Sequence, residues 1–428
     1  MENSGYALHK VGSTQISVHV VDGPFGSDLK SDEYQTTGVP LLRVSNCRTG
    51  AIVADHDLVY ISPEKHAELI RSEVMPGDVL LTKAGHILGY TAVFPDILQR
   101  GNITSHLASI RPSHEIEPAY LAEFLASPIG IAQIYRWGNK STRPELNTNE
   151  VRGLVVVLPT LTRQRELMKV MGLAREARRT KLAEADALLS LLDVYLLDLL
   201  GLAPPPADTR RSYAIRLCAV STTRFDPDYF HPERILTVRG MQQVAGRLRC
   251  APLQQLVEFR RDQFATPGDN YLSLAHVQGH TGELVPADDS AAGACFLFEK
   301  DDVLFGRLRP YLNKVHCAER GGCCSPEFHV MRARPGSDLL PDYLATVLRS
   351  SLILAQTRHM MTGNTHPRLS HEDVVNLVIP IPSATMQTTI AAEVRRRREQ
   401  ARALRIQAEA GWADAKRWFE EQLLGPSP

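Results

Sequence analysis

The sequence predicts an α+β protein of two tandem domains, each followed by a long helix, and three observations predict it. The first is an apolar ladder, Leu182, Ala185, Leu189, Leu192, Leu196 and Leu199, inside a stretch from Arg163 to Leu202 that reads as one helix. Steps of three and four residues make it the seam of a coiled coil. A helix of about 40 residues runs roughly 60 Å, more than one domain needs for its own core, so this helix separates two bodies. The second observation is self-similarity: the chain matches itself at an offset of about 223 residues, a period that means domain duplication rather than a solenoid of short repeats. The third is another long helix after the second copy, Met386 to Leu424, with Ile390, Val394, Ala401, Leu404, Ala408, Ala415 and Trp418 at the same alternating steps.

The repeated blocks fall in the same order in both halves. GDVLLTKAG from Gly77, SHLASIRP from Ser105, PAYLAEFLAS from Pro118, GNKSTRPEL from Gly138 and LVVVLPTLTRQ from Leu154 make up the first set. DDVLFGRLRP from Asp301, SPEFHVMRARP from Ser325, PDYLATVLRS from Pro341, GNTHPRL from Gly363 and LVIPIPSATMQ from Leu377 make up the second. Short β runs (ISVHVV, VPLLRVSN from Val39, VLLT, LVVVLP) separated by turn residues, with a helix predicted at Ala119 to Tyr135, give the α+β character. Gly201 ends the central helix, and the prolines of Ala203 to Ala207 cannot extend it. The expected organisation is therefore a first domain at 1–160, a spacer helix at 161–202, a Pro-rich linker at 203–211, a second domain at 212–383 and a second spacer helix at 384–425. RFDPDYFHPE, from Arg224, has no counterpart in the first half.

Composition limits function only modestly. The net charge is zero, so no overall basic field announces nucleic acid. The cations are clustered, as at Arg175, Arg178, Arg179 and Lys181 and at Arg395 to Arg398; such runs are solvated faces or contacts to phosphate or a partner protein. Seven scattered cysteines argue against a disulfide framework and suit a reducing cytoplasm. Cys317, Cys323 and Cys324, near His316 and His329, lack zinc-ligand spacing and read as ordinary packing. The N-terminal residues hold no signal-peptide core, and LLSLLDVYLLDLLGL carries Asp193 and Asp198 and is too short to span a bilayer, so a soluble protein is expected.

The order of these blocks resembles the DNA specificity subunit of type I restriction-modification systems. DGPFGSDLK and VPLLRVSN, the two DVL strands, PxYLxxxLxS, the GN loops and the proline-ended strands before Gln164 and Gln387 carry the resemblance, which spans nearly the whole chain. RFDPDYFHPE resembles the segment that commonly opens a target-recognition domain in that family. The resemblance implies two target-recognition domains, each reading half of a split DNA site, with the two helices packed as an antiparallel coiled coil that acts as a ruler. It also implies docked methyltransferase subunits, with S-adenosylmethionine held in those partners and no cofactor in this chain, and a restriction or translocase subunit that can join them. Geometry agrees: domains at opposite ends of antiparallel helices are related by a pseudo-twofold axis. Half-sites about one helical turn apart, roughly 34 Å, would suit such a pair.

Reader residues are expected where the copies differ. After the DVL strands one copy has Lys83, Ala84, Gly85 and His86, and the other Arg307, Leu308, Arg309 and Pro310. Arginine can bond guanine bidentately in the major groove, and lysine or histidine reaches the same acceptors less rigidly; the alternative is a salt bridge or a solvent-facing turn. Tyr311 and Lys314 can stack or hold phosphate, though Tyr311 suits a core as well. The GN loops offer Asn139, Lys140, Thr142 and Arg143 against Asn364, Thr365, His366 and Arg368, a mixture fit for phosphates and base edges. Ser27, Lys30, Arg43, Ser45 and Asn46 are further candidates, although such residues also close turns. For partner docking the resemblance points to the outward helix faces and to the helix starts at Gln164 and Gln387. The leucine-rich run with Leu188, Leu192 and Leu196 has more apolar surface than one seam consumes, which fits a partner or burial against the first domain. Trp418 marks the corresponding region of the second helix.

Catalytic motifs are missing. DPDY at Asp226 and SPEF at Ser325 lack the second proline of an amino-methyltransferase motif, and no glycine-rich cofactor loop, GxxxxGK, HExxH or convincing nuclease constellation is present. The expectation is a non-catalytic, cytoplasmic, sequence-reading subunit. The alternatives are a targeting subunit for another effector in a defence system, a cryptic enzyme, or a coiled-coil adaptor without DNA specificity.

Overall fold

Each half of the chain builds the same kind of sheet pair in a computed structural model that describes residues 5–424, apart from 25–27, 49, 54–56, 86–87, 139–143, 208–211, 216–226, 245–247, 265–269, 292 and 362–365. The chain divides into two units, Met1–Lys181 with Ile406–Pro428, and Leu182–Arg405. The division falls within both long helices, so each unit holds one domain and a segment of each helix; the boundaries expected from sequence had kept every helix whole.

In the first unit one four-stranded sheet runs in the order Ser17–Asp22, Leu107–Pro112, Val79–Thr82, Thr91–Val93, and the other in the order Val59–Ile61, Val39–Leu42, Gly101–Ile103, Glu73–Val74. VLLT is apolar without alternation because both its faces are covered. Val79 and Leu81 join the core under the helix Pro118–Ala126, and Leu80 joins a second core with Phe94 and Leu107. The second unit repeats this with Val257–Arg260, Phe328–Ala333, Val303–Gly306, Val315–Cys317 in order, where Val303 and Phe305 face one core and Leu304 the other. Its second sheet, Gln263–Phe264, Cys295–Phe298, Gly322–Cys324, Tyr271–Leu272, adds its extra strand at the opposite edge.

The duplication extends to buried polar groups. Asp78, 2% exposed, accepts two bonds from Arg111 at 2.8 Å and one from the Met75 N–H at 2.9 Å. Asp302, fully buried, does the same with Arg332 at 2.7 and 3.0 Å and the Glu299 N–H at 2.8 Å. Tyr120 donates its hydroxyl to Val157 O, and Tyr343 to Pro380 O. Buried polar groups are costly unless paired, so their survival in both copies shows one scaffold built twice.

Helix boundaries follow local chemistry. Pro118 and Pro341 open their helices, where a missing N–H costs nothing. The single helix expected at Ala119 to Tyr135 is two, Pro118–Ala126 and Pro128–Gly138, because the residue before Pro128, Ser127, is held extended at φ −69°, ψ 158°. The central helix is also interrupted, running Leu161–Ser190 and then Leu192–Leu200 before Gly201 ends it at φ +65°. In its last turns Leu196, Leu197 and Leu200 are buried with Tyr343, Leu344 and Ile353 of the second domain. Ala384–Leu424 is one helix. RFDPDYFHPE is described only from Pro227; a 3-10 turn, Pro227–Phe230, leads into the helix Pro232–Gln243. No helix among the described residues is long and apolar enough to cross a membrane.

Within the first unit Arg163 donates to Gln422 at 2.6 Å, Arg175 lies 5.4 Å over the Trp412 ring, and Arg178 pairs with Glu409 at 2.8 Å. Within the second, Asp186 pairs with Arg405 at 2.8 Å and Tyr195 lies 4.8 Å beneath Arg397. In both units rising numbers on one helix meet falling numbers on the other, so the local segments run in opposite directions.

Gln164 and Gln387, expected at a docking surface, are fully buried. The Gln164 amide accepts from the Glu117 N–H at 2.8 Å and donates to Glu115 O and Pro159 O; Gln387 accepts from the Leu340 N–H at 2.9 Å and donates to Asp338 O and Pro382 O. Both side chains are spent tying a helix start to its own domain. Gln387→Ala should lower the free energy of unfolding by about 2–4 kcal/mol, since three polar groups lose their partners. Thr388→Ala, next door and exposed, should change it by less than about 0.5 kcal/mol in the same denaturant titration.

Candidate nucleic-acid interface

The two loop sets singled out in sequence meet at the ends of the DVL strands. In the second unit Leu308 bridges Arg368, the Arg309 N–H donates to Pro367 O at 2.7 Å, and the Leu369 N–H donates to Arg307 O at 3.0 Å. In the first, Ala84 bridges Glu145 and the Leu146 N–H donates to Lys83 O at 2.8 Å. Backbone pairing thus fixes residues about 60 positions apart into one edge in each copy, and side chains are left to differ.

They differ strongly. Lys83 is 3% exposed, with its ammonium 3.7 Å from Asp22 and 3.5 Å from Glu145. It is a buried ion-pair member rather than a surface cation, and Asp22, where the DGPFGS turn starts, is drawn to it. His86, Asn139, Lys140, Thr142, Arg143 and Ser27 lie outside the described residues, as do Asn364 and Thr365.

Among the described residues, the second copy presents an exposed cation at this edge. Arg309 is exposed at φ +48°, a left-handed conformation unusual for a residue with a Cβ, and makes no ion pair among the described residues. It opens the 3-10 turn Pro310–Leu312, closed by Asn313 at φ +51°, on which Tyr311 is 49% exposed. His366 is exposed. Arg368 instead forks onto Glu327, with bonds of 2.7 and 3.1 Å. Lys314 donates to Leu274 O at 2.6 Å and is half-buried, and burial lowers its pKa.

Arg307 is half-buried, and beside it lie His371, which sequence reasoning missed, and His329, which it had weighed only for a zinc site. Arg307 Nε, His329 Nε2 and His371 Nδ1 are all buried and have no hydrogen-bond partner among the described residues. Phe259 stands edge-on to both imidazoles, whose centroids are 5.8 Å apart. Burial, with Arg307, His371 and Arg261 nearby, pushes His329 down to about 3; burial, with Arg261 and Arg307, lowers His371 too. The histidines are far from Arg307 in the chain, and only the pairing of Phe305 with His329 brings one alongside.

The remaining first-unit candidates serve a turn. Arg43 pairs with Asp57 at 2.6 Å, Ser45 donates to Asp57 at 3.3 Å, and Asn46, 1% exposed, caps the turn by accepting from the Arg43 N–H at 3.0 Å. Lys30 is exposed. The second unit has a counterpart that the sequence comparison did not find: Tyr271–Leu272 is the parallel neighbour of Gly322–Cys324, as Val39–Leu42 is of Gly101–Ile103, and a capped turn follows with Ser273 and His276. The only signal was LSLAH against LRVSN, two apolar positions in five. Tyr271, Ser273, Leu308 and Glu327 line a cavity of about 460 Å³ beside the reader edge.

The expected partner-facing leucines turn inward as well. Leu196 is 1% exposed, Leu188 and Leu192 pack on Ala185, Leu189 and Ala401, and Trp418 packs on the first-unit core. Among the described residues of the long helices, the exposed large apolar ones are Val170, Leu173, Val194 and Ile406, with Leu191 at the interruption between the two central segments. Among the described residues, His231, Glu233 and His359 bring three potential metal ligands together. The two rings are stacked 3.5 Å apart at 14°, and Glu233 pairs with Arg358 at 2.8 Å, an arrangement that suits an ion pair better than lone pairs converging on a metal.

No protein-family model matches the sequence. The chain is 30% identical over 145 residues to the EcoBI specificity subunit of an Escherichia coli type I restriction enzyme, a match covering 34% of this chain and 29% of that relative. It is a type I specificity subunit that this chain resembles. A chain from a structural study of assembly and conformational transition in a type I restriction-modification system shares the fold, at 18% identity and TM-score 0.54, over 98% of this chain and 96% of that one. The S subunit from M. genitalium is 10% identical at TM-score 0.45, over 100% and 98% of the two chains. The likeness to the EcoBI specificity subunit and the two mixed helix-and-strand halves thus agree with the resemblance read from sequence, while the curated match spans less than a third of its relative.

The unpartnered histidine gives a pH dependence. With His329 near 3 when folded and about 6.5 when unfolded, the unfolded chain binds more protons between those values, so its contribution to stability is full above pH 6.5 and falls as pH drops toward 3. His329→Gln should flatten the slope of unfolding free energy between pH 6 and 4 by about one proton. An unchanged slope would place the imidazole in water.

Proposed function

We propose that this chain is the non-catalytic, cytoplasmic specificity subunit of a type I restriction-modification complex. In this reading it recognises a bipartite DNA site and directs adenine methyltransferase subunits, which hold the S-adenosylmethionine, and a restriction or translocase subunit to it. The observation that carries the reading is one scaffold built twice with different chemistry at the same edge: Lys83 between two carboxylates in one copy, Arg307 and Arg309 in the other. A scaffold protein has no use for that difference, whereas two readers of two half-sites require it.

Each domain would set its strand-end edge and GN loop against the major groove, with Arg309 offering a fork to guanine N7 and O6. Arg368, held by Glu327, would act as a rigid wall of the same edge. If a chain of zero net charge neutralises few phosphates, its salt dependence is shallow, and tight binding then belongs to the complex. The opposed helix segments within each unit support a spacer in which the two long helices form one antiparallel coiled coil setting the gap between half-sites.

Co-expression with the methyltransferase subunits, followed by single-molecule mapping of methylated adenines, should give a split motif with a fixed gap. Arg309→Ala should relax one half of that motif, costing about 1–3 kcal/mol of discrimination there, and leave the other half unchanged. Loss of specificity in both halves would contradict separate readers. Specific DNA binding without methylation would point to a different effector, and no DNA binding in any complex to an adaptor.

A further inference from the structure

A cavity of about 440 Å³ in the second unit lies among the helix Pro341–Leu348, the strand Val315–Cys317 and the start of the helix Ala384–Leu424. Lys300, Arg349, Arg395, Arg398 and Arg402 line it together with four carboxylates. Three of these cations are matched: Arg395 pairs with Asp342, and Arg398 and Arg402 with Glu283. Arg349 is different. It is 9% exposed, its Nη1 donates to Val315 O at 3.0 Å, and it has no ion pair among the described residues. A buried guanidinium without a direct ion pair is costly, and burial together with Arg398 brings its pKa down to about 9 against the opposing pull of Cys317, Glu283 and Asp342.

The other copy shows how the fold balances the same place. With Tyr120 and Gln164 matched to Tyr343 and Gln387, Thr346 stands where the first unit has Glu123, Arg398 where it has Arg175, and Arg349 where it has Ala126. Glu123 is 6% exposed and forms an ion pair with Arg175. In the second unit that carboxylate is replaced by Thr346, whose hydroxyl donates to Asp342 O at 2.7 Å, and a guanidinium is added. The second site therefore lacks the Glu123 carboxylate and gains the Arg349 guanidinium, while its other added charges, Lys300 and Arg395 with Asp301 and Asp342, stand where the first copy has Pro76, Gly172, Gly77 and Ala119.

We propose that this cavity binds a phosphate-class oxyanion, held by the Arg349 guanidinium beside Thr346 in the place that the Glu123 carboxylate fills in the first copy. The Arg349 donors other than Nη1 make no hydrogen bond among the described residues, and a planar fork of donors matches two oxygens of such an anion. The site is independent of the reader edges and does not rest on the function proposed above.

Calorimetric titration of inorganic phosphate into the full chain, at near-neutral pH and with ionic strength fixed by chloride, tests it. One saturable site is expected, weakened about tenfold or more by Arg349→Met. Thr346→Glu restores the carboxylate of the first copy, so it should abolish phosphate binding while raising the melting temperature of the phosphate-free chain; this variant keeps the test valid if Arg349→Met does not fold. Repeating the titration with saturating duplex DNA separates the sources of the oxyanion: unchanged affinity marks a free ion, and competition marks a backbone phosphate. Absence of saturable binding, or equal binding by wild type and Thr346→Glu, would overturn the proposal.

Discussion

A buried amide at the head of each long helix sets the geometry on which everything else depends. Gln164 and Gln387 each join three backbone groups: one N–H at the start of the domain's PxYL helix, one carbonyl just before it, and the carbonyl of the proline that ends the preceding strand. With no water to substitute, neither helix start can rotate against its domain without leaving these groups unpaired. The direction of each helix out of its domain is therefore fixed twice by the same chemistry. In the proposed reading, a spacer that sets distance along a helix needs that rigidity at the joint.

The shared frame also explains how the copies diverge without unfolding. Asp78 with Arg111 and Asp302 with Arg332 anchor the starts of the DVL strands by buried, forked bonds, and the reader loops leave from the far ends. The residues beyond those ends are held by backbone pairing, which is indifferent to side-chain identity. Lys83 can then sink between Asp22 and Glu145 while Arg309 projects into solvent. The same logic operates at the helix face, where Glu123 in one copy and Thr346 with Arg349 in the other leave different charge on an identical backbone.

Much of this was legible from sequence because duplication writes the same residues twice at a constant offset. The two helices and the glycine stop at Gly201 follow from local pattern. What escaped depends on partners remote in the chain. Lys83 looked like a surface cation because its two carboxylates are about 60 residues away on either side. Gln164 and Gln387 looked like polar surface because a glutamine's burial shows only when its acceptors are known. The leucines near Leu196 looked like spare apolar surface, and their use lies in the second domain's core. The capped turn at Ser273 and His276 kept its backbone but lost nearly all sequence likeness to Arg43 and Asn46, and Arg307 acquired His329 and His371 as neighbours only through strand pairing and a helix start.

The central claim is that a fixed helical spacer positions two independent readers, and lengthening the spacer tests it most directly. One heptad inserted into each long helix at matched positions adds about 10 Å, the rise of about three base pairs of duplex DNA at roughly 3.4 Å each. Methylome mapping of this double insertion should show both half-sites unchanged and the gap between them longer by about three base pairs. An unchanged gap, with methylation retained, would contradict the account.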